Sequence, residues 1–159
     1  MRSKPKRHNP SDICNNPHYV HIENEFVPFT KLRKPLNVSK VSFVTMGGLY
    51  LEGQKPFEDI DDWGDVSFRE LPKTLRNGEF HIAHLKYDHQ WVNRDLNVLL
   101  PLSIFEEFEK EDLIGEIADT HYAFMGSIPD PLGLIVDTAP EVARRMHSQQ
   151  VDIAILCST

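Results

Sequence analysis

The chain has 159 residues, of which 40% are hydrophobic and 26% charged. That is enough apolar material for one packed domain and excludes wholesale disorder. No apolar run approaches the roughly 18 residues of a spanning helix, and the basic start M-R-S-K-P-K-R-H-N-P has no apolar segment behind it, so neither a membrane span nor a secretory signal is expected. The net charge of −7 is uneven: residues 1–40 hold eight Lys/Arg against Asp12, Glu23 and Glu25, a balance of +5, and residues 41–159 carry −12. An acidic body repels phosphate backbones, so no nucleic-acid partner is expected. Cys14 and Cys157 lie at opposite ends and make no disulfide framework, which points to a reducing cytoplasm.

Pro5, Pro10, Pro17, Pro28 and Pro35 bar helix interiors and central strands from the first 35 residues. They read as a basic leader that becomes an extended strap around H-I-E-N-E-F-V-P-F. An α/β domain then fills 36–159. K-V-S-F-V-T (40–45) is a buried strand ended by Gly47-Gly48. Residues 52–65 form an acidic loop. V-S-F-R-E-L (66–71) alternates as a half-buried strand, and F-H-I-A-H (80–84) is a short one. N-V-L-L-P-L (97–102) is apolar and leads to Ser103 with Glu106, a reciprocal capping box that opens a helix through about Lys110. I-G-E-I-A (114–118) reads as a strand leading into T-H-Y-A-F-M-G. Thr138 with Glu141 repeats the box, and Ala139, Val142, Ala143 and Met146 form one helical stripe. V-D-I-A-I-L (151–156) is a buried strand, followed by Cys157-Ser158-Thr159. Strands alternating with helices predict an α/β fold with a mostly parallel sheet, flanked by helices in three layers. The last strand has no returning helix behind it, so the fold is expected to be incomplete at its C-terminus.

Several groupings bear on chemistry. Cys157 follows a strand, where a succeeding helix N-terminus would activate a thiol; with no helix following, an inert buried cysteine is the alternative. His84, Asp88, His89 and His121 are metal-ligand types at loop ends, which keeps a metal-dependent hydrolase as a rival reading, although no metal is expected. Asp59 to Asp65 with Glu70 partly mimics a calcium-binding loop, but Trp63 stands at a ligand position and the flanks are strand-like. Gly47-Gly48 lacks the spaced pattern of a phosphate loop and reads as a turn.

Taken in order, V-S-F-V-T-M-G-G-L-Y-L (41–51), W-G-D-V-S-F-R-E-L-P (63–72), H-L-K-Y-D (84–88), N-R-D-L-N-V-L-L-P-L (93–102), H-Y-A-F-M-G (121–126), T-A-P-E-V-A-R-R-M (138–146) and V-D-I-A-I-L-C-S-T (151–159) resemble selenoprotein B of the glycine/sarcosine/betaine/D-proline reductases. The short D-proline reductase type is the more similar. In that family the terminal strand leads within a residue or two to selenocysteine, which is encoded by UGA. The resemblance therefore implies a selenocysteine after Thr159, with the chain being the part before it.

The resemblance further implies a cytoplasmic oxidoreductase subunit in a hetero-oligomer, cleaving a C–N bond of D-proline or a glycine-like amine with electrons from a dithiol or thioredoxin-like donor. A selenolate, ionised at neutral pH, is the implied nucleophile. A pyruvoyl group on a partner subunit is the implied electron sink. Cys157, Ser158 and Thr159 would line the selenocysteine turn. His84, Asp88 and His121 are candidate proton donors or acceptors. Tyr87, Asp95, Gly47 and Gly48 are candidate contacts for substrate or partner. A non-catalytic, partner-binding fragment of the same family is the alternative, and the 159 residues alone are expected to be inactive.

Overall fold

The structure is a computed structural model and describes residues 30–58 and 64–158. Residues 1–29, the centre of the calcium-like loop and Thr159 lie outside the described residues. The first strand, β1 (Lys40–Thr45), is the axis of the fold, and it is buried over Val41–Thr45 because β-branched and aromatic side chains fill both its faces. On one flank it pairs in parallel with β7 (Ile153–Cys157), from Val41↔Ile153 to Thr45↔Cys157. On the other it meets two short parallel partners in succession. β5 (Glu116–Ile117) pairs with its start and β6 (Thr120–Phe124) with its end. β3 (Phe68–Pro72) lies antiparallel outside β6. β2 (Leu49–Tyr50) and β4 (His81–Ile82) form a separate antiparallel pair.

Alternate residues of β1 feed two cores. Val41 and Phe43 pack with Leu102, Phe105 and Phe108 of α2 (Leu102–Lys110), and the Phe43 and Phe105 rings meet edge-on at 4.9 Å. Val44, with Tyr122 and Phe124 of β6, packs with Val142 and Met146 of α3 (Ala139–Ser148) on the opposite face. The sheet is mixed but mostly parallel, with helices on both faces, as the sequence predicts. No helix among the described residues is long and apolar enough to cross a membrane.

Several local expectations are corrected. Ser103 does not cap α2, which starts at Leu102 with Pro101 at the cap position. Asn97 takes the role instead: its Oδ1 accepts from the Ser103 amide at 3.2 Å while its Nδ2 donates to Ser103 Oγ at 2.7 Å. Thr138 is not a cap either. A π-helix (Leu134–Thr138) runs directly into α3, so Thr138 has helical dihedrals and its hydroxyl is buried without a partner. The segment read only as a lead-out from 114–118 contains β6. α1 (Gln90–Arg94) was not foreseen, because five residues are too short for helical periodicity to show. The strand read over 80–84 is confined to β4, which places His84 beyond it.

Candidate functional site

The carboxyl ends of β1, β6 and β7 are tied together by backbone hydrogen bonds. The Met46 amide donates to the Cys157 carbonyl at 2.9 Å, and the Gly48 amide donates to the Phe124 carbonyl at 2.9 Å. This is the edge at which open α/β sheets bind ligands, because loops diverge there and strand-end polar groups are free to be recruited. The Gly47-Gly48 turn passes over that edge. Gly48 has φ +66°, and a Cβ there would come within 2.9 Å of the His84 backbone amide and Cβ. Only glycine permits both the left-handed backbone and that approach. The Gly48 carbonyl accepts from Ala83 at 3.0 Å, drawing the loop after β4 onto the turn.

That loop carries His84, Tyr87 and His89, which interlock. The Lys86 amide donates to His84 Nδ1 at 3.2 Å, so the neutral imidazole carries its proton on Nε2. The Nε2 side of the ring lies on Gly126, just past β6. A Cβ at Gly126 would sit 2.4 Å from that nitrogen. His89 Nε2 donates to the His84 carbonyl at 2.6 Å, and the Tyr87 ring stands edge-on to both imidazoles. Tyr87 donates its hydroxyl to the Gly47 carbonyl at 3.1 Å. Burial pushes the phenol up to about 12, so Tyr87 holds its proton and serves as a tether rather than a base. What the arrangement offers chemically is a nearly buried N–H donor, His84, fixed in one tautomer beside the strand ends.

The structure thus gathers His84, Tyr87, Gly47 and Gly48 at the edge where Cys157 and the exposed Ser158 leave β7. Burial pushes the half-buried Cys157 thiol up, the opposite of what an activated nucleophile requires. Other expected residues lie elsewhere. Asp88 is exposed and caps α1, accepting from the Gln90 amide at 3.0 Å. Asp95 caps the short 3-10 turn Leu96–Val98 through the Asn97 amide.

His121 is fully buried in mid-sheet, where its Nδ1 accepts from the Phe43 amide at 3.2 Å. Burial lowers its pKa to about 4, with Lys73 adding to the effect. Among the described residues no group of three or more His, Cys, Asp and Glu is placed to hold a metal ion, so His84, Asp88, His89 and His121 do not assemble the hydrolase centre of the rival reading. Sequence reasoning missed Gly126 and the tethering role of His89. The only sign of either was the closeness of a glycine and a histidine to segments that a strand and a loop would bring together.

Comparison with known proteins places this edge in a family. The model of glycine/sarcosine/betaine reductase selenoprotein B matches residues 17–159. The D-proline reductase subunit gamma of Acetoanaerobium sticklandii is 30% identical over 128 residues, 80% of this chain and 52% of that protein. The glycine reductase complex component B subunit gamma of Carboxydothermus hydrogenoformans is 29% identical over 140 residues, 84% of this chain and 31% of that protein. Its counterpart from Symbiobacterium thermophilum is 30% identical over 133 residues, 79% of this chain and 30% of that protein. The chain therefore spans about half the length of the first of these relatives and under a third of the other two. No solved structure matches it. A match over nearly the whole described domain makes the chain a member of the glycine/sarcosine/betaine reductase selenoprotein B family.

Proposed function

We propose that this chain is the scaffold portion of a cytoplasmic reductase subunit that cleaves the C–N bond of D-proline, or of a glycine-like amine, with a dithiol as reductant. The observation that carries the reading is the convergence of β7 with the His84–Tyr87 loop at one sheet edge. The Cys157 carbonyl is bonded to Met46, so a chain continuing past Thr159 would leave β7 beside Gly47, Gly48 and His84. A selenocysteine at that point would supply an ionised nucleophile at neutral pH. The residues present fit such a group in polarity: one buried imidazole N–H and no carboxylate among the ring and glycine contacts that build this edge. His84 would donate its Nε2 proton or a hydrogen bond to the substrate, Tyr87 would hold the glycine turn, and Gly48 would give His84 the room to sit against that turn.

The relatives' names describe subunits of reductase complexes, and we extend that assembly to this chain: a hetero-oligomer with a pyruvoyl-bearing subunit and a thioredoxin-like or small dithiol donor. The test is to isolate the protein from its native host. Selenium in the purified subunit, a mass above that of 159 residues, and dithiol-dependent conversion of D-proline to its ring-opened ω-amino acid would support the proposal. Absence of selenium together with a native mass equal to these residues alone would overturn it, leaving a partner-binding module.

A further inference from the structure

The end of the sheet remote from the candidate site carries a groove of about 1020 Å³. Its walls include Lys40, Glu116 and Ile153, the first residues of β1, β5 and β7, so it lies at the amino ends of these parallel strands. Lys34 pairs with Asp152 at 2.7 Å and Lys40 with Glu116 at 2.9 Å, which accounts for both acidic residues of the lining. Lys31 and Arg33 are left over. Both are exposed, and among the described residues neither side chain has an ion pair or a hydrogen bond. Against a body that carries −12 over residues 41–159, the groove is a cationic island. Leu32 and Val38, each about half exposed, give it apolar walls as well.

The complementary surface sits next to it. α2 ends in a turn closed by the Leu113 amide, which donates to the Phe108 carbonyl at 2.9 Å, with Asp112 left-handed at φ +57°. Glu107, Glu111 and Asp112 are exposed around this turn, against one exposed cation, Lys110. Leu113 stands beside them about half exposed. Among the described residues none of the three acids has an ion-pair partner, so the turn does not neutralise the groove of its own molecule. The chain leaving the turn passes along the groove wall. The Gly115 amide donates to the Ser39 carbonyl at 3.0 Å, and a Cβ at Gly115 would come within 2.5 Å of the Val38 carbonyl carbon.

We infer that this groove is the contact between two copies of the chain, with the acidic α2 turn of each copy set against Lys31 and Arg33 of the other. Each surface offers the charge that the other lacks, and Leu113 on one side meets Leu32 and Val38 on the other. Because turn and groove are neighbours, a two-fold axis makes both contacts at once and closes a dimer instead of an open filament. The inference is independent of the reductase reading. The chain's own first residues and an unlike protein are the competing occupants.

Sedimentation equilibrium on the intact chain tests this. A monomer–dimer equilibrium is expected. Raising the salt from about 0.1 M to about 1 M shortens the Debye length from roughly 10 Å to roughly 3 Å and should weaken the dimer about 10-fold. Lys31→Glu with Arg33→Glu should weaken it about 100-fold by setting like charges together, and so should Glu107→Lys with Glu111→Lys. All four changes in one chain should restore the dimer, as should mixing the two double variants. A chain that stays monomeric up to its solubility limit would overturn the inference, and that is the result expected if its own first residues or an unlike protein fill the groove. So would a dimer indifferent to both reversals, or folded double variants that the complementary changes do not rescue. Should the groove variant fail to fold, the salt response and the α2 variant decide.

Discussion

The imidazole of His121 takes the place of a strand carbonyl opposite Phe43. Between Val41, which pairs with β5, and Val44, which pairs with β6, β1 has no ladder partner on that flank. The Phe43 amide is satisfied there by His121 Nδ1 at 3.2 Å, and Ser42 Oγ approaches the same nitrogen at 3.3 Å. Nδ1 must stay unprotonated to accept, so the ring is neutral with its proton on Nε2, an atom buried without a partner.

A pH-dependent stability follows. The pKa of His121 falls from 6.5 to about 4 on folding, so the folded chain binds fewer protons than the unfolded one between those values. The full benefit is present above pH 6.5, and stability declines as pH falls toward 4, by about 3 kcal/mol in all. Replacing His121 by Asn keeps an acceptor for Phe43 and should flatten this acid limb. Replacing it by Phe should cost about 1–3 kcal/mol at pH 7 by leaving the amide unpaired. Urea titrations across pH check both, and an unchanged acid slope in His121→Asn would refute the assignment.

Gly126→Ala should be among the most damaging small changes at the candidate site. Its new methyl would come within 2.4 Å of His84 Nε2 and 2.9 Å of the Met46 carbonyl, so the imidazole must leave its seat. Overpacking of this kind costs about 1–3 kcal/mol. Thermal unfolding should show the loss, and the His84 ring resonances should move while those of His121 stay in place.

Tyr87→Phe removes one hydrogen bond, to the Gly47 carbonyl, and leaves the ring packing between His84 and His89 intact. The expected cost is about 1 kcal/mol. A spectrophotometric titration of the phenols should lose a component near pH 12, the value to which burial raises Tyr87. Retention of that component would mean another tyrosine accounts for it.

Asp65 anchors the start of β3. Its carboxylate accepts from the Glu58 amide at 2.9 Å and the Ser67 amide at 2.8 Å, and it also takes the Ser67 hydroxyl. Burial opposes its ionisation, yet the bonds from Ser67 and Glu58 prevail and hold its pKa below the ordinary carboxylate range. The stability it gives is present above the unfolded value and is lost as pH falls through the folded one. Asp65→Asn should cost about 1 kcal/mol at neutral pH, with a smaller difference from the parent at pH 3; an equal difference at both would contradict this.

Much of the fold was legible because apolar runs of the right length announce strands. K-V-S-F-V-T is β1 and V-D-I-A-I-L overlaps β7, the 139–148 helix lies close to where its apolar stripe puts it, and the 102–110 helix lies close to where the Ser103–Glu106 pair puts it. The short elements were legible unevenly. The strands read over 80–84 and 114–118 contain β4 and β5, but β6, two residues after β5, was read only as a lead-out because a histidine sits inside it where the pattern calls for an apolar side chain. The capping boxes misled because Asn97 and the π-helix satisfy the helix starts through contacts that no local motif encodes. At the site, strand-end logic pointed to His84, Tyr87 and the two glycines, which the fold brings to one edge. It did not foresee that Asp88 and Asp95 would bond the turns beside them, or that His121 would fill a gap in a ladder.

The pairing of β1 with β7 joins residues 112 positions apart at its lower end, where Lys40 meets Asp152. On a ribosome adding roughly 5–20 residues each second, β1 is synthesised about 6–20 s before the strand that completes its flank. For that interval one of the most apolar stretches of the chain has an open side. The sheet that carries the candidate site is thus closed only once β7 has been made, and nascent chains should lean on chaperones until α3 and β7 emerge.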